Sequence, residues 1–526
     1  MNLGSMLSVT ALRYPNKKYL ISGDRTLTYL SIDRLSTNLA IQLINSGLQR
    51  GDRVALLFPN SAELVISYFA CFKIGVIAVP LNFRLKATEL KTFLNHSEAC
   101  VLLAEDTLYQ KLVPIRHQLK FLKKYFISGF NESCEFESFE KLTHTVNKKL
   151  IAAIPEIRDS FPCIILYTSG TSGNPKGAVY THRSLLKGLA HYVRELHFNS
   201  KSRILVALSI CHAAAFGTLL LPGTYVGASL YLETSNNIDL LVQLLQEFNP
   251  THFLGFPFHY IGLLHHPHGH LCRNNSKRTY MLTGDYLSDS IEKEFRLNFN
   301  RPIIAMAGMT EVQLYSMNPT IQGKQKTGSI GLPFNDVQIR LVDESNKEVN
   351  PGETGEIILK TDRQMSYYWH DEEQTLRTMR DGWIYTEDLG RRDEQGYYYL
   401  VGRKIFIIIR GGSKILPQEV ESVLIQHPTI KEVAVTGLAD FYLGQVVMAF
   451  IVIDKEAGGF TIEQLLLFIK NKIADYKIPE KIIIVSKLPR NASGKLDRKA
   501  LAKWAANEEQ PFYQLNFNRE PTFRLR

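Results

Sequence analysis

The chain has 526 residues, 45% hydrophobic and 21% charged, the make-up of an ordinary soluble protein with material for several cores and three or four structural units. Its net charge of +10 comes from basic residues that are spread out rather than interleaved with aromatics, which excludes a nucleic-acid surface and suits small anionic ligands. The most apolar span, residues 54–83, is broken by Asn60, Glu63 and Lys73, so it is not a membrane helix, and residues 1–10 form no leader. The cysteines at 71, 100, 134, 163, 211 and 272 form no C-x-x-C and read as reduced core thiols of a cytosolic protein.

In chain order, residues 19–30 alternate like a hairpin, and Ser31 caps a helix running to about Gly47. Residues 51–58 are a turn feeding a buried strand. A helix over residues 62–74 stops at Gly75, and a strand over 76–79 runs into Pro80-Leu81-Asn82. Strands alternating with helices of this length predict a parallel sheet and an α/β fold. Residues 105–160 are polar and lysine-rich. A second α/β unit is predicted over roughly 163–316, and short strands between Gly/Pro turns (337–342, 355–359, 397–401) predict a small β-barrel. After Gly402-Arg403 the texture changes again, to a strand over 405–409 and a helix over 419–427, which sets a domain boundary near 404. No repeat is present, and the tail beyond about Ala506 carries no motif.

Chemistry concentrates in Leu166-Tyr-Thr-Ser-Gly-Thr-Ser-Gly-Asn-Pro-Lys-Gly-Ala178, between an apolar run, 163–166, and a helix whose N-cap is Thr181. Gly170, Gly173 and Gly177 let backbone N–H groups turn inward; Thr168, Ser169, Thr171, Ser172 and Lys176 complete an anion cradle suited to a polyphosphate. The spacing excludes a Walker A loop, since Pro175 or Ala178 falls where the second glycine belongs, and excludes a nucleophile elbow. A Ser/Gly-rich surface turn is the plainer alternative. Five of the fifteen histidines, His259, His265, His266, His268 and His270, lie close together; Pro267 and Gly269 make this a solvated loop rather than a metal site.

The loop resembles the phosphate loop of the adenylate-forming superfamily, which includes acyl- and aryl-CoA synthetases. Thr28-Tyr29, Gly51-Asp-Arg-Val54 and Pro80-Leu-Asn82 resemble family landmarks, and the later motifs follow in the family's order. The resemblance implies two stacked α/β subdomains plus a small β-barrel (about 318–403) in an N-terminal domain, 1–403, and a smaller, mobile α+β domain over 404–526. It implies ATP, Mg²⁺ and CoA (or a carrier protein's pantetheine) as reactants. It also implies roles: His212 on the substrate side; Gly308, with Thr310 facing the phosphates; Glu311 on Mg²⁺; Asp388 and Arg403 on the ribose; Gly411 and Gly412 in the thiol-facing glycine loop; and Lys495 on the carboxylate and α-phosphate. Ala213 stands where amino-acid-activating relatives carry an aspartate, so an α-amino acid substrate is not expected. Three positions depart from the family pattern: Ala307 replaces an aromatic that stacks on adenine, Glu387 replaces a glycine, and Phe406 replaces a hinge aspartate.

Small residues at Ala213 to Ala215, Gly217, Gly255, Gly284 and Ala307, walled by Phe216 and Phe256, predict a roomy apolar slot for a fatty or aromatic acid. The leading expectation is a cytoplasmic AMP-forming acid:CoA ligase. The alternatives are an acyl-AMP ligase that loads a separate carrier protein, and a nucleotide-binding member without turnover.

Overall fold

Parallel strands buried on both faces make the frame of the N-terminal half. The computed structural model describes residues 1–129, 136–144, 154–168, 175–233, 237–274, 278–284, 287, 289–321, 323–410, 413–440, 443–454, 460–470, 472–492, 494–506, 512–514 and 522–524. Among these residues, an eight-stranded sheet runs in the order Tyr367–Tyr368, Lys176–Thr181, Pro162–Thr168, Ile77–Pro80, Arg53–Leu57, Val101–Glu105, Lys124–Ser128, Glu137–Ser138. Its inner strands are continuous apolar runs, as both-face burial demands. The helix Ala62–Ile74 is buried around its whole girth and ends in left-handed Gly75 at φ 74°.

A nine-stranded sheet follows the order Leu332–Pro333, Gln313–Met317, Ile303–Met309, Thr279–Leu282, His252–Gly255, Arg203–Val206, Ser229–Leu232, Lys18–Ser22, Arg25–Thr28. The two sheets are not consecutive units of the chain, which corrects the division drawn near residue 163. The N-terminal hairpin joins the second sheet by parallel pairing of Leu20 with Leu230, while the strands flanking the phosphate loop belong to the first. One apolar cluster takes side chains from both sheets, among them Leu56, Ala78, Leu166, Val206, Leu254 and Ile304. The expected cap also moves: the helix is Tyr29–Asn45, and the Thr28 side chain accepts from Ser31 N–H.

The barrel portion is an antiparallel sheet of Gln338–Val342, Gly355–Lys360, Trp383–Arg392, Met379–Arg380 and Tyr398–Arg403. It is tied to the first two layers by Arg363, which is 0% exposed. The guanidinium grips Asp336 through Nε (2.5 Å) and NH2 (3.2 Å), donates to the Leu314 carbonyl at 2.9 Å, and meets the Tyr192 hydroxyl.

The C-terminal part is α+β. Helices Pro417–Leu424 and Ile462–Lys470 cover one sheet face through Val420, Leu424, Leu465 and Ile469, and helix Arg498–Ala506 covers the other through Leu501 and Ala505. Residues 404–406 form a short 3₁₀ turn and the strand is only Ile408–Arg410, shorter than predicted. Phe406 is half-buried, and its ring lies 5.6 Å from the Arg498 guanidinium. On the other side, Lys404 Nζ reaches Glu356 Oε2 of the barrel at 2.5 Å. A cation–π contact of this exposure contributes about 0.5–1 kcal/mol. Phe406→Ala is therefore expected to shift the balance of the two half-reactions only about two- to fivefold. Single-turnover rates for adenylation and for thioester formation check this; unchanged rates in both would make the position neutral.

Candidate active site

The phosphate-loop segment is a β-hairpin. Thr168 pairs with Lys176 at the closing register, and Lys176–Thr181 is a strand antiparallel to Pro162–Thr168. Lys176 and Gly177 therefore leave the loop, because Ala178-Val-Tyr180 is an apolar, β-prone run that completes a sheet. Ser169, Gly170, Thr171, Ser172 and Gly173 lie outside the described residues, as do Gly411 and Gly412; of Thr168 only the backbone is described. Thr181 caps the following helix, His182–Glu195, as predicted.

A second hairpin carries Thr310 and Glu311 at its tip, between Ile303–Met309 and Gln313–Met317. Gly308 is required there, since a Cβ would stand 2.8 Å from the Gln313 carbonyl oxygen. The Tyr180 hydroxyl donates to the Thr310 carbonyl at 2.5 Å, so the phosphate-loop strand holds this tip directly. Glu311 is 7% exposed, accepts from the Tyr368 hydroxyl, and is pushed above the ordinary carboxylate range by burial; Tyr368, Arg403 and Lys176 oppose that shift. Among the described residues no group of three or more His, Cys, Asp or Glu side chains could hold a metal ion. One buried oxygen ligand suits Mg²⁺ that arrives with a nucleotide and keeps phosphate and water oxygens as its other ligands.

Asp388 and Arg403 are register partners on adjacent strands, and Arg403 Nε sits 2.5 Å from Asp388 Oδ1. Arg403 is also close enough to Glu311 to act on it electrostatically, so the pair and Glu311 belong to one site. Glu387 has φ 61°, the left-handed conformation that glycine adopts most readily. Its N–H donates to Glu356 Oε1 at 3.0 Å, the carboxylate that also holds Lys404.

His212 caps the short helix Ala213–Ala215, which packs against the strands of the Glu311 hairpin. Burial, then the charges of Lys495 and Arg84, lower its pKa to about 4, so the imidazole is neutral. Asn82 Nδ2 donates to His212 Nε2 (3.2 Å) and to the Ala492 carbonyl (3.2 Å), bridging the N-terminal fold to the C-terminal motif. That motif is a closed turn: Asn491 N–H donates to the Lys495 carbonyl (2.8 Å), and Lys495 N–H to Asn491 Oδ1 (3.1 Å). The Lys495 side chain crosses left-handed Gly284, where a Cβ would be 3.0 Å from its Cε. Near it opens a cleft lined by Ala207, Leu208, Ala214, Ala215 and Phe256 as well as Asn82, Arg84 and His212.

Ala307 is 5% exposed and pairs with Ser316. With no aromatic face here, adenine should lose stacking of about 1–3 kcal/mol. We expect an ATP KM near about 1 mM, the top of the usual range; a low-micromolar KM would show that another side chain stacks on the base. The histidine-rich stretch splits in two. His259 is buried and accepts from Phe256 N–H at 3.0 Å, while half-buried His266 pairs with exposed Asp239 at 2.8 Å.

Sequence reasoning passed over Asn82, Arg84 and Tyr368 as functional candidates. Asn82 closes the Pro80-Leu81-Asn82 landmark and could have been found from it; nothing local marks Tyr368.

A nucleotide-dependent, acid-activating ligase is the class of protein that this pairing of hairpins with a lysine from the C-terminal lobe defines. The chain belongs to the AMP-binding enzyme family: the family model matches residues 7–369, and the AMP-binding enzyme C-terminal domain matches residues 419–495. Similar proteins include the long-chain-fatty-acid–CoA ligase of Bacillus subtilis, 30% identical over 95% of this chain and 94% of that protein. The feruloyl-CoA synthase of an Amycolatopsis species is 30% identical over 94% and 97%. Among solved structures, the anthranilate CoA ligase AuaEII in complex with anthranoyl-AMP superposes with a TM-score of 0.88, at 28% identity over 96% of this chain and 97% of that one. The chain is an AMP-forming acid–CoA ligase of the adenylate-forming superfamily. No helix among the described residues is long and apolar enough to cross a membrane.

Proposed function

We propose that this ligase activates an apolar carboxylic acid, fatty or aromatic, in the cleft near Lys495 and passes the acyl group to CoA in the cytoplasm. The observation that carries this reading is the cleft itself, whose walls are mostly alanine, leucine and phenylalanine, with Asn82, Arg84, Ser209 and His212 as its polar side chains. The similar ligases that act on long-chain fatty acids, ferulate and anthranilate support it.

In this mechanism the substrate carboxylate attacks the α-phosphorus of ATP, forming an acyl-adenylate and releasing pyrophosphate. Two anions must meet, so charge has to be neutralised at the moment of attack. Lys495 supplies a cation beside the carboxylate, and the phosphate-loop hairpin with Lys176 holds the polyphosphate. Glu311 would hold Mg²⁺ brought with ATP, which would supply polarisation of the phosphoryl oxygens. Thr310 faces the phosphates, and Asp388 with Arg403 takes the ribose hydroxyls. His212, neutral and fixed by Asn82, borders the acyl group without adding charge against the adenylate. The domain 404–526 then turns about the segment that begins at Lys404, withdrawing Lys495 so that the thiol of CoA attacks the acyl carbon and AMP leaves. The relatives named above use CoA, which favours it over a carrier protein as acceptor.

Thioester yield from an acid series running from acetate through long-chain fatty to aromatic acids tests the substrate class. Activity confined to acetate or to amino acids would sink it.

A further inference from the structure

Residues 365–369 touch Glu311 twice, once at its backbone carbonyl and once at its carboxylate, and nothing in the mechanism above uses them. The strand Tyr367–Tyr368 pairs with the strand that leaves the phosphate loop, Tyr367 with Val179 and Tyr368 with Ala178. Ser366 N–H donates to the Val179 carbonyl (2.8 Å) and Trp369 N–H to the Gly177 carbonyl (2.7 Å), so the segment is sewn along the hairpin. Just before it, Met365 N–H donates to the Glu311 carbonyl at 2.8 Å, and the Tyr368 hydroxyl donates to Glu311 Oε1. Tyr368 is itself fixed: it is 3% exposed, and its N–H donates to Thr375 Oγ1 at 2.9 Å. The Lys176 ammonium lies 5.9 Å from the centre of the same ring.

A phenol has one proton to donate, and here it goes to one carboxylate oxygen. That fixes the rotamer of Glu311 and leaves Oε2, together with the second lone pair of Oε1, for a cation. The same rigid ring carries the phosphate-loop lysine on its face, so the spacing between lysine and carboxylate is set by one side chain. We propose that Tyr368 is a positioning residue for the metal–polyphosphate complex: it presets Glu311 for Mg²⁺ and holds Lys176 in register with it. This rests on the reading of Glu311 as the Mg²⁺ ligand. Partners that orient a metal-binding side chain are typically worth 10–100-fold in metal affinity.

The test is equilibrium binding of ATP by calorimetry across a Mg²⁺ series and in EDTA, for wild type, Tyr368→Phe, Glu311→Gln and Tyr367→Phe, with melting temperatures measured alongside. Tyr368→Phe keeps the ring and the strand pairing and loses only the hydroxyl. We expect the Mg²⁺ concentration that half-saturates the enhancement of ATP binding to rise about 10–100-fold in Tyr368→Phe. Metal-free ATP binding should be unchanged and Tyr367→Phe should behave as wild type. If Glu311→Gln raises the Mg²⁺ requirement and Tyr368→Phe does not, the positioning role is wrong while the ligand assignment stands. Equal loss of ATP binding with and without Mg²⁺ in Tyr368→Phe would reduce the residue to a structural strap and overturn the proposal. Should neither variant alter the Mg²⁺ requirement, both the ligand assignment and the role built on it fall.

Discussion

Lys495→Ala should slow formation of the acyl-adenylate by about 10²–10³-fold, the loss typical when one donor aimed at developing charge is removed. The fold should survive, because the turn that presents this lysine is closed by backbone and Asn491 contacts. The side chain matters for where its charge lies: over Gly284, at the cleft, and close enough to His212 to help keep that ring neutral. Thioester formation from a chemically prepared acyl-adenylate should be nearly unaffected, since the lysine is withdrawn from that half-reaction. Equal damage to both half-reactions would mean that Lys495 supports the domain arrangement and not the chemistry.

Arg363→Met should destabilise the N-terminal part by about 3 kcal/mol, the lower end of what breaking a buried ion pair costs. The lower end applies because the abandoned Asp336 keeps 21% of its side chain in water, whereas Arg363 has none. The substitution also strips a donor from the Leu314 carbonyl and from Tyr192, loosening the barrel, the helix His182–Glu195 and the Glu311 hairpin together. Urea unfolding followed by tryptophan fluorescence reads the shift. Adding Asp336→Leu should recover part of it, as removal of both charges leaves none buried alone. A shift under about 1 kcal/mol, or no recovery in the double variant, would show that the pair is not what joins the layers.

Local chemistry was readable wherever one residue type answers one local demand. Gly75 ends its helix in the left-handed region, Thr181 accepts the N–H of Ser184, and Gly308 stands where a Cβ would strike a carbonyl. Long-range pairing was not readable in this way. Nothing in Tyr19-Leu20-Ile21 says that it lies beside Leu230, and a period-two pattern carries no partner's address. The same limit hid the strand Lys176–Thr181, whose glycine and lysine look like loop until Ile165 and Leu166 are seen opposite Val179 and Ala178. Of the candidate site, the motif residues with described side chains fall into two groups joined by the helix Ala213–Ala215 and the hairpin it packs on: Lys176, Thr310, Glu311, Asp388 and Arg403 in one, His212 and Lys495 in the other. Asn82 and Tyr368 escaped because their roles are contacts with residues hundreds of positions or a whole sheet away.

The deciding measurement is pyrophosphate release by the wild-type enzyme with MgATP, offered fatty, aromatic and small acids, with CoA present and absent. Release should depend on an apolar acid, and CoA should raise the turnover and appear as the acyl thioester. ATP that binds but yields no pyrophosphate with any acid would contradict the assignment of these residues to catalysis.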